Sequence, residues 1–220
     1  MTADAAPIGD NTSFEGSTVY VVEDDKAVRD SLLLLLRLRG YAPSGYESAE
    51  DFLQLDALLR PACALVDVRL PGIDGLALQR RLKERHPGLP VIVITGHGDV
   101  ATARSALRDG AVDFLEKPID EHELLDAVTV ALASDQRRVA QARDREEITA
   151  RLARLTAREL EVFERITNGQ HNREIAEEFG ISPRTVEVHR SRIMEKLQAR
   201  RVADLFRLRF ELEQSSPPVA

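Results

Sequence analysis

Four short apolar runs in this chain each end on a side chain that can bind or transfer charge. "TVYVV" (18–22) leads into Glu23-Asp24-Asp25, "CALV" (63–66) into Asp67, "PVIVI" (90–94) into Thr95, and "DFLE" (113–116) into Lys117-Pro118. Clustered carboxylates raise one another's pKa unless a cation neutralises them. Hard oxygen donors with room for water suit Mg2+ (or Mn2+), which takes one or two carboxylates plus phosphate oxygens. A carboxylate is also a nucleophile toward phosphorus and forms an aspartyl phosphate. A nearby ammonium, hydroxyl and metal ion would stabilise the equatorial oxygens of the group in transfer. Taken singly, three of these signals are ordinary. Asp24 or Asp25 could cap the next helix, Thr95 could be a plain strand residue, and Lys117 a solvated lysine. Asp67 is different: it lies between Val66 and Val68, where an unpaired carboxylate is costly to bury.

The elements that must position these groups are legible from periodicity. Over residues 17–131 the four runs and a weaker one, "YAPSGY" (41–46), alternate with amphipathic stretches such as "VRDSLLLLLRLRG" and "LALQRRLKERHP". Strand and helix alternating five times predict a parallel sheet with helices on both faces. Gly40, Pro87-Gly88 and Gly110 mark helix ends. In such a sheet functional groups collect beyond the carboxyl ends of the strands, which is where the four polar endings fall.

Beyond this the text changes. Residues 132–153 lack glycine and proline and alternate charge at helical spacing, which reads as a solvated helical linker, continuous with the last helix before it. Residues 154–213 are helical in pattern, with breaks at "TNGQ", "FGIS" and "QAR". Residues 1–16 read as a flexible leader and 214–220 as a disordered tail. Within "NREIAEEFGISPRTVEVHRSRIMEKL" a first helix ends at Gly180 and a second starts at the N-cap Ser182 and Pro183. On the second helix Val186, Ile193 and Leu197 form a core stripe. The opposite face carries Arg184, Glu187, Val188, Ser191, Arg192 and Glu195. An ordinary hairpin with a charged outer side would look similar. Val188, however, sits amid that face where it could meet a thymine methyl, and Arg190, Arg200 and Arg201 suit phosphate contacts.

Charge is distributed to match. Residues 1–130 hold 13 basic and 22 acidic side chains, residues 131–220 hold 17 and 15, and the stretch 182–210 holds eight and three. An acidic first part joined to a basic stripe suggests two tasks, the second on nucleic acid. One cysteine, Cys63, excludes an intrachain disulfide and suits a reducing cytoplasm. No apolar run approaches the roughly 20 residues of a membrane span, so no membrane partner is expected.

The residues "VVEDD", "LVDVRLPGIDG", "VITGHGD" and "DFLEKP", in this order, resemble the receiver domain of two-component response regulators. The stretch from "LTARE" through "TVEVHR" resembles the LuxR-type helix-turn-helix domain, and the pair resembles the FixJ/NarL class of regulators. The resemblance implies a flavodoxin-like (βα)5 receiver (17–131), a helical linker and a four-helix DNA-binding domain, α/β followed by all-α. It implies that Asp67 is the phosphoacceptor, and that Glu23, Asp24, Asp67 and the Arg69 backbone carbonyl hold Mg2+ or Mn2+. It also implies that Lys117 contacts the phosphoryl group, that the Lys117–Pro118 bond is cis, and that Thr95, in a loop freed by glycines, and Phe114 form the switch pair. Arg69 and His97 match positions that tune phosphoryl lifetime. Glu23 stands where an Asp is commoner. The helix-turn-helix would span about 171–190, with Arg184, Thr185, Glu187, Val188, Arg190, Ser191, Arg192 and Arg200 at the DNA. A final helix, about 201–210, would supply a dimer contact. The implied partners are a sensor histidine kinase, promoter DNA, a second copy on phosphorylation, and RNA polymerase. The expected protein is a cytoplasmic transcription regulator, more an activator than a repressor, whose only catalysis is its own phosphoryl transfer and slow dephosphorylation. The alternative is a phosphorylation-independent DNA-binding regulator that keeps the receiver fold as a dimerisation scaffold. A small flavoprotein is disfavoured by the acidic "EDD" after the first strand, and a phosphatase by "DVR" in place of D-x-D.

Overall fold

The period-two alternation of the first strand sorts its side chains to two faces, and each face finds its own core. Val19 and Val21 join Leu36, Leu65, Ile92, Ile94, Leu124 and Val128 in one apolar cluster, while Tyr20 and Val22 join Phe52, Val66, Leu78, Leu82 and Val93 in the other. A computed structural model describes residues 14–96 and 100–214. Its sheet holds β1 (Thr18–Val22), β2 (Ala42–Tyr46), β3 (Ala62–Asp67), β4 (Val91–Gly96) and β5 (Asp113–Lys117) in the order β2-β1-β3-β4-β5, all parallel. The helices α1 (Lys26–Leu38), α2 (Ala49–Leu53), α3 (Gly75–Arg85) and α4 (Val100–Asp109) follow β1 to β4 in turn. The order reverses beside β1, so the carboxyl ends of β1 and β3 open one crevice, the place where such sheets hold ligands.

Helix α5 (Glu121–Leu152) runs unbroken through the segment expected to be a solvated linker. Its first part is not solvated. Leu132 and Asp135 are fully buried, and Asp135 accepts from Arg60 Nε at 2.7 Å and from the Ala62 amide at 2.8 Å, with Arg60 Nη2 also bound. The leader reading also needs correcting at its end: Phe14 packs against the core and the Gly16 amide donates to the Gly40 carbonyl at 2.9 Å. Residues 1–13 and 215–220 lie outside the described residues.

The chain divides into two compact units, residues 1–139 and 140–220. The second contains α6 (Ala157–Thr167), α7 (Asn172–Phe179), α8 (Pro183–Lys196) and α9 (Val202–Gln214) around Phe163, Ile175, Val186, Ile193, Leu197 and Leu205. Local chemistry sets its helix ends. Thr156 and Glu159 form a capping box at α6, Ser182 Oγ accepts from the Thr185 amide at 3.1 Å with Pro183 next to it, and Gly180 closes α7 with φ of 63°. That left-handed glycine permits the short turn into α8. Among the described residues no helix is long and apolar enough to cross a membrane.

Candidate functional site

At the carboxyl ends of β1 and β3, Glu23 is fully buried and Asp67 is 4% exposed, while Asp24 is open to solvent. One oxygen from each of the three lies within 4.8 Å of the others. Lys117, at the end of β5, reaches across: its Nζ donates to Asp67 Oδ2 at 2.6 Å and to Glu23 Oε2 at 2.8 Å. The remaining oxygens are also held, Asp67 Oδ1 by the Arg69 amide at 3.1 Å and Glu23 Oε1 by the Asp25 amide at 3.3 Å. Asp25 takes the capping role, accepting from the Ala27 amide at 2.8 Å, so Asp24 remains free of it.

The electrostatics follow from this crowding. Burial, and then the neighbouring Asp67 charge, raise the Glu23 carboxyl above its ordinary 4.5 against the pull of Lys117. Burial draws the Lys117 ammonium down, but its hydrogen bonds to Asp67 and Glu23 outweigh it and hold the pKa above 10.5. Two carboxylates sharing one ammonium retain net negative charge and an open, solvated side at Asp24. That donor set, all hard oxygen with water access, fits a small divalent cation.

Thr95 lies at the end of β4 and is 6% exposed, beside Ile94, which pairs in register with Asp67. Phe114 on β5 pairs with Val93 and is 38% exposed. His97 and the glycine that follows it lie outside the described residues. The Lys117–Pro118 bond is cis.

Several residues that support the site were missed in the sequence. Gly75, the first residue of α3, packs so closely on β3 that an added Cβ would stand 2.1 Å from the Asp67 carbonyl oxygen. Glu50 accepts from the Ile73 amide at 3.0 Å, and Asp74 caps α3 through the Ala77 amide at 2.7 Å, so the loop after Asp67 is fastened where it enters α3. Arg29 Nη1 donates to the carbonyls of Glu23 (2.6 Å) and Asp24 (3.1 Å), fixing the acidic turn from below. The glycine and the capping Asp74 have a sequence signal, in "PGIDG"; a helical arginine and a helical glutamate have none.

In the second unit the expected core stripe is buried, Val186 and Ile193 fully and Leu197 nearly so. Arg184, Thr185, Glu187, Val188, Ser191 and Arg192 share the exposed side of α8, with Val188 46% exposed. Arg190 is half-buried and turns instead to a cleft with His171, Arg173 and Phe206. Arg200 lies in the turn before α9, apart from the helix, its amide donating to Asp204 at 2.9 Å.

A parallel α/β domain with a carboxylate pocket at its switch point, followed by a helix-turn-helix, defines a regulator that joins a signal-receiving module to a DNA-binding one. Comparison with known proteins agrees. Residues 19–129 match the response regulator receiver domain, and residues 153–208 match the bacterial regulatory proteins of the luxR family. The chain is 43% identical over 194 residues to the transcriptional regulatory protein FixJ of Azorhizobium caulinodans, spanning 88% of this chain and 92% of that one. It is 43% identical over 193 residues to the C4-dicarboxylate transport transcriptional regulatory protein DctR of Rhodobacter capsulatus (87% and 98%). Among solved structures it resembles the response regulator StyR, with a TM-score of 0.80 and 36% identity (88% and 98%). Full-length FixJ from B. japonicum aligns with a TM-score of 0.56 and 38% identity (92% and 100%). The chain belongs to the two-component response regulators that pair a receiver domain with a LuxR-type DNA-binding domain. It is a DNA-binding transcriptional regulator that implies a sensor kinase as partner.

Proposed function

We propose that Asp67 accepts a phosphoryl group from the phosphohistidine of a sensor kinase, and that this switches the protein's activity on promoter DNA. The carrying observation is the Lys117 ammonium shared between Asp67 and Glu23, with Asp24 alongside. An Asp67 carboxylate oxygen attacks phosphorus, the P–N bond breaks, and the leaving imidazole keeps the electron pair. Lys117 then holds a phosphoryl oxygen in place of the carboxylate oxygen it binds here. Glu23, Asp24, Asp67 and the Arg69 carbonyl hold Mg2+ (or Mn2+), which when bound offsets charge on the transferred group. Thr95 supplies a hydroxyl to a phosphoryl oxygen, and Phe114, half-open on β5, follows it inward. Hydrolysis of the acyl phosphate by water resets the switch.

The exposed side of α8 enters the major groove, where Arg184, Thr185, Glu187, Val188, Ser191 and Arg192 face base edges and phosphates, with Arg190 and Arg200 on the backbone. Phosphorylation favours a homodimer that places two such helices on paired half-sites. The bound dimer acts on RNA polymerase in the cytoplasm, with activation the expected direction.

The test is intact mass and solution oligomeric state after incubation with Mg2+ and a small phosphodonor, in wild type and Asp67→Asn. One phosphoryl group gained by wild type alone, with a shift to dimer, is the expected result. Labelling of Asp67→Asn at the same stoichiometry removes Asp67 from the role. Tight promoter binding with no phosphoryl gain, even from the kinase, favours a regulator that uses the receiver as a scaffold.

A further inference from the structure

Helix α8 carries three opposite-charge pairs at i,i+3 spacing: Arg184 with Glu187, Glu187 with Arg190, and Arg192 with Glu195. Such spacing commonly closes into ion pairs. Elsewhere in this unit it does so, between Arg158 and Glu161 on α6 and, at i,i+4, between Arg207 and Glu211 on α9. Among the described residues none of the three α8 pairs forms, and the Glu187 carboxylate has no hydrogen-bond or ion-pair partner, although its backbone carbonyl accepts from Ser191 Oγ at 3.0 Å. The hydroxyls on the same face are engaged within the helix. Thr185 Oγ1 is 2.8 Å from Ser182 Oγ, and Ser191 Oγ is tied to Glu187. Among the described residues, Glu187 is therefore an uncommitted carboxylate on the exposed face of a helix otherwise armed there with arginine donors.

An anion on a surface that approaches polyanionic DNA weakens binding unless it meets a donor. The floor of the major groove offers two, the N4 amino group of cytosine and the N6 amino group of adenine. The adenine amino group is flanked by acceptors on both sides, its own N7 and the O4 of the paired thymine. The cytosine amino group has an acceptor on one side only, the O6 of the paired guanine. A carboxylate is thus repelled less, and bound better, at cytosine.

We propose that Glu187 is a specificity-determining residue that accepts a hydrogen bond from a cytosine N4 amino group in each half-site. The proposal rests on the reading of α8 as the base-contacting helix. Glu187 rejects thymine and guanine at that position because each presents an acceptor to the carboxylate, and its cost at non-cognate sites sharpens selection.

The experiment is selection from a random duplex pool by the full-length protein treated with phosphodonor, in wild type, Glu187→Ala, Val188→Ala and Arg192→Ala. Binding of the wild-type consensus and its single-base variants is measured alongside. The expected result is a half-site position fixed as cytosine by wild type. Glu187→Ala loses that preference, about tenfold over the other bases, and keeps every other position. An unchanged consensus with uniformly tighter binding to all sequences overturns the proposal and places Glu187 beside phosphates. If Val188→Ala and Arg192→Ala also leave both consensus and affinity unchanged, the reading of α8 as the recognition helix fails, and the proposal with it. Glu187 is exposed, so equal thermal midpoints of the variants verify that folding is not the cause.

Discussion

The Lys117 ammonium lies 2.6 Å from an Asp67 oxygen and 2.8 Å from a Glu23 oxygen, one cation serving two buried carboxylates. It offsets part of their combined charge, and under the proposed function it is the group that would follow a phosphoryl group onto Asp67.

Replacing it exposes that dependence. Lys117→Ala leaves two carboxylates buried without their cation, a change that costs about 3 kcal/mol when a buried pair is broken. Urea unfolding followed by tyrosine fluorescence checks this, because Tyr20, Tyr41 and Tyr46 all lie in the receiver and the chain has no tryptophan. The receiver is expected to remain folded but weakened. Mg2+ should recover more stability in the variant than in wild type, and phosphodonor should no longer raise DNA affinity.

The raised Glu23 pKa gives a pH slope of definite sign. The folded receiver binds the Glu23 proton more tightly than the unfolded chain does, so stability falls as pH rises from about 4.5 through the higher folded value. Glu23→Gln removes this contribution. Urea midpoints from pH 4.5 to 8 without Mg2+ should therefore converge toward low pH, with wild type falling below Glu23→Gln as pH rises. A wild-type advantage that grows with pH contradicts the burial assignment.

Gly75→Ala tests the seating of α3 on β3, the strand that ends in Asp67. The new methyl would stand 2.1 Å from the Asp67 carbonyl oxygen, among backbone atoms that cannot turn aside. Overpacking of this kind costs about 1–3 kcal/mol. The displaced loop carries Arg69, so the rate of phosphoryl uptake should fall along with the urea midpoint.

In the DNA-binding unit, Glu159 is held well below its ordinary 4.5, to about 2, chiefly by the Lys196 ammonium at 2.5 Å and the Thr156 amide at 2.8 Å. The depressed pKa means stability that is complete above 4.5 and lost as pH falls toward 2. Glu159→Ala removes both the cap and the ion pair. It should cost about 1–2 kcal/mol at neutral pH, read as the far-UV dichroism of urea unfolding in the phase not reported by tyrosine. Glu159→Gln should flatten the acid-induced loss.

Under the proposed function, substitutions at Arg200 and Val188 should separate positioning from readout. Arg200→Ala should weaken binding to all duplexes alike and lower the salt slope by about 1. Val188→Ala should cost roughly 1 kcal/mol at a single base position and leave the slope unchanged. Titrations at several salt concentrations on matched and mismatched sites distinguish the two.

The sequence by itself determined the elements and the composition of the pocket, because both are local. Short apolar runs alternating with amphipathic stretches marked the strands, Gly40, Gly88 and Gly110 marked helix ends, and Ser182-Pro183 opened α8. The valines flanking Asp67 already required a partner for its carboxylate. Which partner, and at what distance, came from the tertiary structure, since Lys117 at the end of β5 reaches past β4 to the ends of β1 and β3 through a sheet order that no local pattern encodes. The same holds for Gly75 against the Asp67 carbonyl, for Arg29 beneath the acidic turn, and for Glu159 with Lys196. The stretch after Ala131 shows the limit most clearly. Its alternating charges read as solvated, yet Asp135 is buried because Arg60 and the Ala62 amide, distant in sequence, satisfy its oxygens. Local pattern reports a side chain's cost of burial. Only the fold supplies the partners that offset it.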